Sequence, residues 1–287
     1  MRSLAALAVA AGRRAWRLLD PDVLDDTTRY VSTLLPVLES AQQNAADAGA
    51  AYVEAALEEQ NIDAEPAGEV NTSGLVGVAA DGRSLASLLL EPIIRVKQAI
   101  GEGRTVPQAM KSGRSRLDTI LQTEIADAAR VSTGIGVVAT PRVGYVRMLT
   151  LPSCARCVIL AGRFYRYSSG FARHPNCDCI HIPSTEDTAG DLRTDPMAAF
   201  EADQIRGLSR AEQHAIRDGA DINQVINARR GMYTAGHLRL TREGTTRRGI
   251  AGSRLQGTAR LMPEQIYREA RSRDDAVRLL RMHGYIL

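Results

Sequence analysis

The stretch CARCVILAGRFYRYSSGFARHPNCDC, from Cys154 to Cys179, holds all four cysteines of the chain, with His174 among them. Cys154 and Cys157 stand three apart, the spacing at which a tight knuckle aims two sulfurs at one point. His174 and Cys177 repeat that spacing, and Pro175 and Asn176 between them suit a turn. Two such pairs joined by a loop make the S₃N set that tetrahedral zinc takes. A site closed by four protein ligands leaves no position for water and holds structure rather than doing chemistry. The spacing therefore predicts structural zinc on Cys154, Cys157, His174 and Cys177. Cys179, two residues beyond Cys177 on an extended chain, is the alternative ligand. Disulfides are the competing chemistry, since four cysteines allow three connectivities. A redox Cys-x-x-Cys lacks the βαβ context that such motifs need.

The elements that must hold this window read as strands. VGYVRMLTL (143–151) and CIHIP (179–183) are short and rich in β-branched and aromatic residues. The segment 143–183 is thus expected to be a small β-rich Cys/His knob, in which metal binding supplies part of the folding free energy. Around it the chain reads as helix. Leu4, Leu7, Ala11 and Leu18 repeat at helical spacing, so the start is an amphipathic helix rather than a signal peptide. From Thr27 to Gln60 apolar residues step by threes and fours, including Leu34, Leu38, Ala41, Ala45, Ala48, Tyr52 and Ala56. Residues 61–83 lack a period and read as a loop. A second long helix is expected from about Pro107 to Val131, with Leu117, Leu121, Ile125 and Ala128 buried. Beyond Pro183, Ser209 with Glu212 three residues on predicts a capped helix.

The fold class is accordingly α+β, mainly α-helical with the small β-rich knob. Three regions are expected: an N-terminal helical arm over 1–60, a core over 84–185 ending in the knob, and C-terminal helices over 205–287. Within the last, 239–260 carries six arginines against one glutamate, interleaved with Gly and Thr, and reads as a mobile basic segment. Arg242, Arg247, Arg248 and Arg254 are its candidate contacts to phosphate or carboxylate.

Composition narrows the function classes. Apolar residues make up 44% and aromatics only 4%, so the core is built from Leu, Ile, Val and Ala. Of 36 basic residues only Lys97 and Lys111 are lysines; a GC-rich genome explains that bias without special arginine chemistry. The net charge of +3 does not by itself imply a nucleic-acid binder. No stretch approaches the ~18 to 20 apolar residues of a membrane span. Neither a Gly-x-Ser-x-Gly elbow nor a His-Glu-x-x-His motif is present.

The cysteine window resembles the signature of phage head-morphogenesis proteins, the Mu F-like minor head proteins. Cys154, Cys157, Leu160, Gly162, Phe164, His174, Pro175 and Cys177 carry the match, followed by IHIP. The last cysteine of that signature is often serine, which favours Cys177 over Cys179 as ligand. The family's helix with a Thr-Glu pair ahead of the knob is matched by RLDTILQTEIADAARV, with Thr123 and Glu124 in place. RRAWRLLDPDVLDD and INQVINARRGMYTA resemble the version found in phages of high-GC bacteria. The resemblance implies a minor capsid protein at the portal, assembled in the host cytoplasm and carried in the virion head. Its implied partners are the portal protein and the major capsid or scaffold protein, with phage DNA as a further candidate. Such proteins are often labelled capsid maturation proteases, so an enzyme is the alternative.

Overall fold

The computed structural model describes residues 2–79, 81–166, 179–190, 192–246 and 249–286. In chain order its elements are α1 (Arg2–Trp16), α2 (Thr28–Glu58), α3 (Leu85–Leu88), α4 (Glu91–Gly101), α5 (Val106–Ala139), β1 (Gly144–Met148), β2 (Ser153–Cys154), α6 (Ala155–Ala161), β3 (Phe164–Tyr165) and β4 (Ile180–Ser184). Then come α7 (Pro196–Glu201), β5 (Ile205–Arg206), α8 (Arg210–Arg217), α9 (Ile222–Ala228), β6 (Met232–Ala235), β7 (Leu238–Thr241), α10 (Ile250–Leu255), β8 (Arg260–Leu261), α11 (Pro263–Glu269) and α12 (Arg273–Met282). The fold is mixed α+β and predominantly helical. It divides into two compact units, one of residues 1–146 and 164–192, the other of residues 147–163 and 193–287.

The first unit is organised by α5. A capping box starts this helix: Thr105 and Gln108 bond each other's backbone N–H. Its buried face carries the expected Leu117, Leu121, Ile125 and Ala128. It runs on through Gly134 and Gly136 to Ala139, eight residues past the expected end at Val131. Packing overrides glycine's poor helix propensity there. α2 lies along it in the same direction, with Ser132 Oγ donating to Ala46 O (2.6 Å) and Thr133 Oγ1 to Gly49 O (3.0 Å). The approach is close enough that a Cβ on Gly49 would sit 2.3 Å from Ala129 O. After Ala45 the buried face of α2 is Ala46, Gly49, Val53 and Leu57, not the expected Ala48, Tyr52 and Ala56. The small residues mark the seam.

α1 shows the same logic. It is a helix, but Leu7 and Leu18 of the expected stripe are exposed. The buried face is Ala8, Val9, Ala15 and Trp16, and α1 approaches α5 closely at Gly12, where a Cβ would meet Leu121 Cδ1 at 2.4 Å. α4 has Pro92 in its first turn, where the missing N–H is a donor that the helix does not need. β1 is the middle strand of a three-stranded sheet, between β3 and β4. Tyr145 pairs with Tyr165, and their rings stack at 5.3 Å.

The second unit has β2 parallel to β5 and an antiparallel β6–β7–β8 sheet. Its core joins Ile159 of α6, Ile216 of α8, Val225 and Ile226 of α9, Ile266 of α11 and Leu280 of α12. The expected capping box of Ser209 and Glu212 opens α8. Of residues 239–260, read from the sequence as a mobile basic segment, the described ones include β7, α10 and the start of β8. Arg260 supplies the physical reason. It is fully buried, and its guanidinium donates to Glu243 O (2.7 Å), His283 O (2.8 Å) and Gln224 Oε1 (3.2 Å). Among the described residues no helix is long and apolar enough to cross a membrane.

Candidate functional site

Among the described residues of the cysteine window, the first Cys-x-x-Cys pair is built into the start of a helix. Cys154 ends β2 and is the N-cap of α6, where its sulfur accepts from Cys157 N at 3.4 Å. Ala155 and Ile159 belong to the second unit's core, so this stretch follows the 3.6-residue period of a helix. Cys157 is buried, and Arg147 Nη2 donates to its sulfur at 3.4 Å. Cys179 is also buried, but it belongs to the first unit. His174 and Cys177 lie outside the described residues. Among the described residues no group of three or more His, Cys, Asp or Glu side chains is placed to hold a metal ion. The zinc expectation is corrected accordingly: the described cysteines do not fit such a group. Cys154, Cys157 and Cys179 are not bridged to one another.

The candidate arginines separate as well. Arg242 lies over the Tyr233 ring, 5.1 Å from its centroid. Arg254 Nη1 donates to Arg281 O and Ile286 O, both at 2.8 Å, and so ties α10 to the end of the chain. Arg247 and Arg248 lie outside the described residues. Glu124, of the matched helix, is buried in α5 and is not a solvated surface acid.

What the second unit does assemble is a cleft of about 560 Å³ whose lining mixes charged, polar and apolar groups. His214 and Arg217 come from α8, Asp218 from its C-cap, Tyr267 from α11, Arg271 from the turn that follows, and Arg273 from the first position of α12. The loop between the two closing helices is short because Ser272 caps α12, accepting from Asp275 N at 3.1 Å. Asp218 organises the floor. Its Oδ2 accepts from Tyr267 Oη at 2.7 Å and its Oδ1 from Arg273 Nε at 2.8 Å. Burial alone would raise the Asp218 pKa, but the bonds from Tyr267 and Arg273 outweigh it and hold the carboxyl below its usual range. Burial, then the bond to Asp218, pushes the Tyr267 hydroxyl up, so it stays a donor. The His214 ring meets the Tyr267 ring edge-on at 5.8 Å.

Such an arrangement offers guanidinium donors around a carboxylate whose two oxygens are already engaged. Sequence reasoning missed it because no local motif announces it: its residues come from two stretches, 214–218 and 267–276, about fifty positions apart. The charge pattern RSRDD around Ser272 was the one available signal.

The sequence model of the VG15 protein family matches residues 1–202. The chain belongs to the VG15 protein family. No curated protein and no solved structure matches the chain. The VG15 match takes in the helical bundle and the cysteine window, and it ends before α8. The cleft, from His214 to Ala276, lies beyond it.

Proposed function

We propose that this VG15 chain is a phage minor head protein, associated with the portal and acting structurally in procapsid assembly. The single observation that carries this reading is the residue-by-residue match of Cys154, Cys157, Leu160, Gly162, Phe164, His174, Pro175 and Cys177 to the Mu F-like signature. In this reading β1 and β4, which border the window, are the small β element that the signature brings with it, without a metal. The partners are the portal protein and the major capsid or scaffold protein. The long α2 and α5 provide a stiff scaffold of the kind an assembly component uses.

The test is location. Antibody labelling of intact and gently opened particles should place the protein in the head, at one vertex. A particle that lacks it altogether sinks the proposal. Incubation with scaffold and major capsid protein addresses the enzymatic alternative, which predicts discrete cleavage products; a structural role predicts none.

A further inference from the structure

The charge of the chain is divided unequally between its two units. The second unit holds 20 basic against 11 acidic residues, a net of +9, whereas the first is net −6. The modest total of +3 conceals this. Charge asymmetry of that size points to a polyanionic partner for the basic part.

The cleft on the second unit is where that charge is shaped. Arg273 is committed to Asp218, and that bond fixes it along one wall. Among the described residues no ion pair engages the side chains of Arg217 or Arg271. Arg217 is held in place without being neutralised, since its guanidinium lies 5.7 Å from the centroid of the Phe200 ring. Asp275, four residues past Arg271, is occupied: Oδ1 accepts from Arg278 at 2.7 Å, and Oδ2 accepts from the backbone N–H of Arg271 at 3.1 Å; Glu269 and Asp274 lie nearer in sequence, and among the described residues neither forms an ion pair with Arg217 or Arg271. Two guanidinium forks, one aromatic-backed and one in the turn before a helix of ten residues, thus face a concavity with His214 beside them. Planar guanidinium forks match phosphate oxygens in geometry as well as in charge.

We propose that this cleft binds phosphate, and that its physiological source is the backbone of a nucleic acid. Arg217 and Arg271 are the binding residues; Asp218 is a positioning residue that orients Arg273 and Tyr267. The proposal does not depend on the assembly role, because location in a particle is read independently of affinity.

The experiment uses the full chain and a fluorescently labelled duplex of about 20 base pairs, titrated over a range of salt. Replacing both residues, R217Q with R271Q, should weaken binding at least about tenfold at low salt, and should flatten the log–log salt slope by about 2, close to one per lost phosphate contact. The lysine pair, R217K with R271K, should retain most of the slope. A control pair in the first unit, R95Q with R104Q, removes the same charge and should change nothing. Equal losses from both glutamine pairs would mean diffuse attraction and would overturn the site. So would the absence of duplex binding together with failure of inorganic phosphate to protect the protein against thermal unfolding. If inorganic phosphate protects in an Arg217- and Arg271-dependent way while duplex does not bind, the phosphate site stands and its source is a small molecule. Binding of polyglutamate alone, lost in the glutamine pair, would overturn phosphate in favour of an acidic protein.

Discussion

His283 is buried near the end of the chain, and its Nδ1 accepts from Leu261 N at 3.2 Å. Accepting there requires the neutral ring. Burial first, then the neighbouring Arg260 charge, lowers its pKa from 6.5 to about 4. Between those values the unfolded chain binds a proton that the folded chain refuses. Stability from this group is therefore complete above about pH 6.5 and is lost as pH falls toward about 4. The loss is at most about 3 kcal/mol, and nearer 2 once residual solvent screening is allowed for. Urea melts at pH 7, 5.5 and 4.5 should show it, and His283→Asn should flatten the profile across that window. An unchanged profile in the variant would refute the assignment. Arg260, beside it, holds three carbonyl oxygens and lies 4.1 Å from the Tyr285 ring centroid. Arg260→Ala leaves those acceptors unsatisfied and should cost roughly 3 kcal/mol or more. Arg260→Lys cannot reach all of them and should recover only part, as read from the same melts. No sequence pattern separated this arginine from its exposed neighbours; only the fold makes it internal.

At the scale of elements, helix positions were legible where period and cap agreed. Ser209 with Glu212 marked α8 correctly, because a capping box is a local device whose partners are three residues apart. What the sequence hid was which face of a helix is buried. Leucine at helical spacing suggested one stripe for α1, and alanine and tyrosine suggested another for the second half of α2. The bundle buries other faces instead: α2 turns Ala46 and Gly49 to α5, where backbone meets backbone, and α1 buries Trp16 and approaches α5 at Gly12. The cysteine window misled for a related reason: a three-residue spacing fits a helical turn as well as a metal knuckle, and Ala155 and Ile159 between and beyond the cysteines favour the helix once a core exists to receive them. The seam makes a paired prediction. Gly49→Ala places a methyl 2.3 Å from Ala129 O, so the helices must separate. A loss of roughly 1–3 kcal/mol is expected, the usual range for overpacking. Gly134→Ala, in the same helix pair, meets nothing within 4 Å. It should gain about 0.5–1 kcal/mol from helix propensity. Thermal melts of the two variants should move in opposite directions, and a shared direction would mean that the seam is not close-packed.

At the scale of the whole molecule, the chain builds its second unit from two separated pieces. Residues 147–163 supply Ala155 and Ile159 to a core otherwise made from α8, α9, α11 and α12. They also supply β2, which pairs with β5 through Ser153 opposite Ile205 and Cys154 opposite Arg206. Thr194 N donates to Ala161 O at 3.1 Å, and the Arg156 guanidinium donates to Asn227 Oδ1. A fragment of residues 193–287 lacks all of this. Loss of the buried isoleucine side chain alone costs about 2–5 kcal/mol. A domain of this size has only roughly 5–15 kcal/mol of stability to lose. The fragment should therefore melt broadly or at a markedly lower urea midpoint. Joining 147–163 to its N-terminus by a flexible Gly/Ser linker should restore a cooperative transition, because loop closure adds only slowly to the cost as the linker lengthens. If 193–287 alone unfolds as sharply, and at the same midpoint, as the linked form, the inserted segment is ornamental and the two-piece core is wrong. The same linked form carries the complete cleft and the full +9 of the basic unit. Its salt-dependent affinity for duplex should then match or exceed that of the whole chain, since it is no longer attached to the acidic first unit.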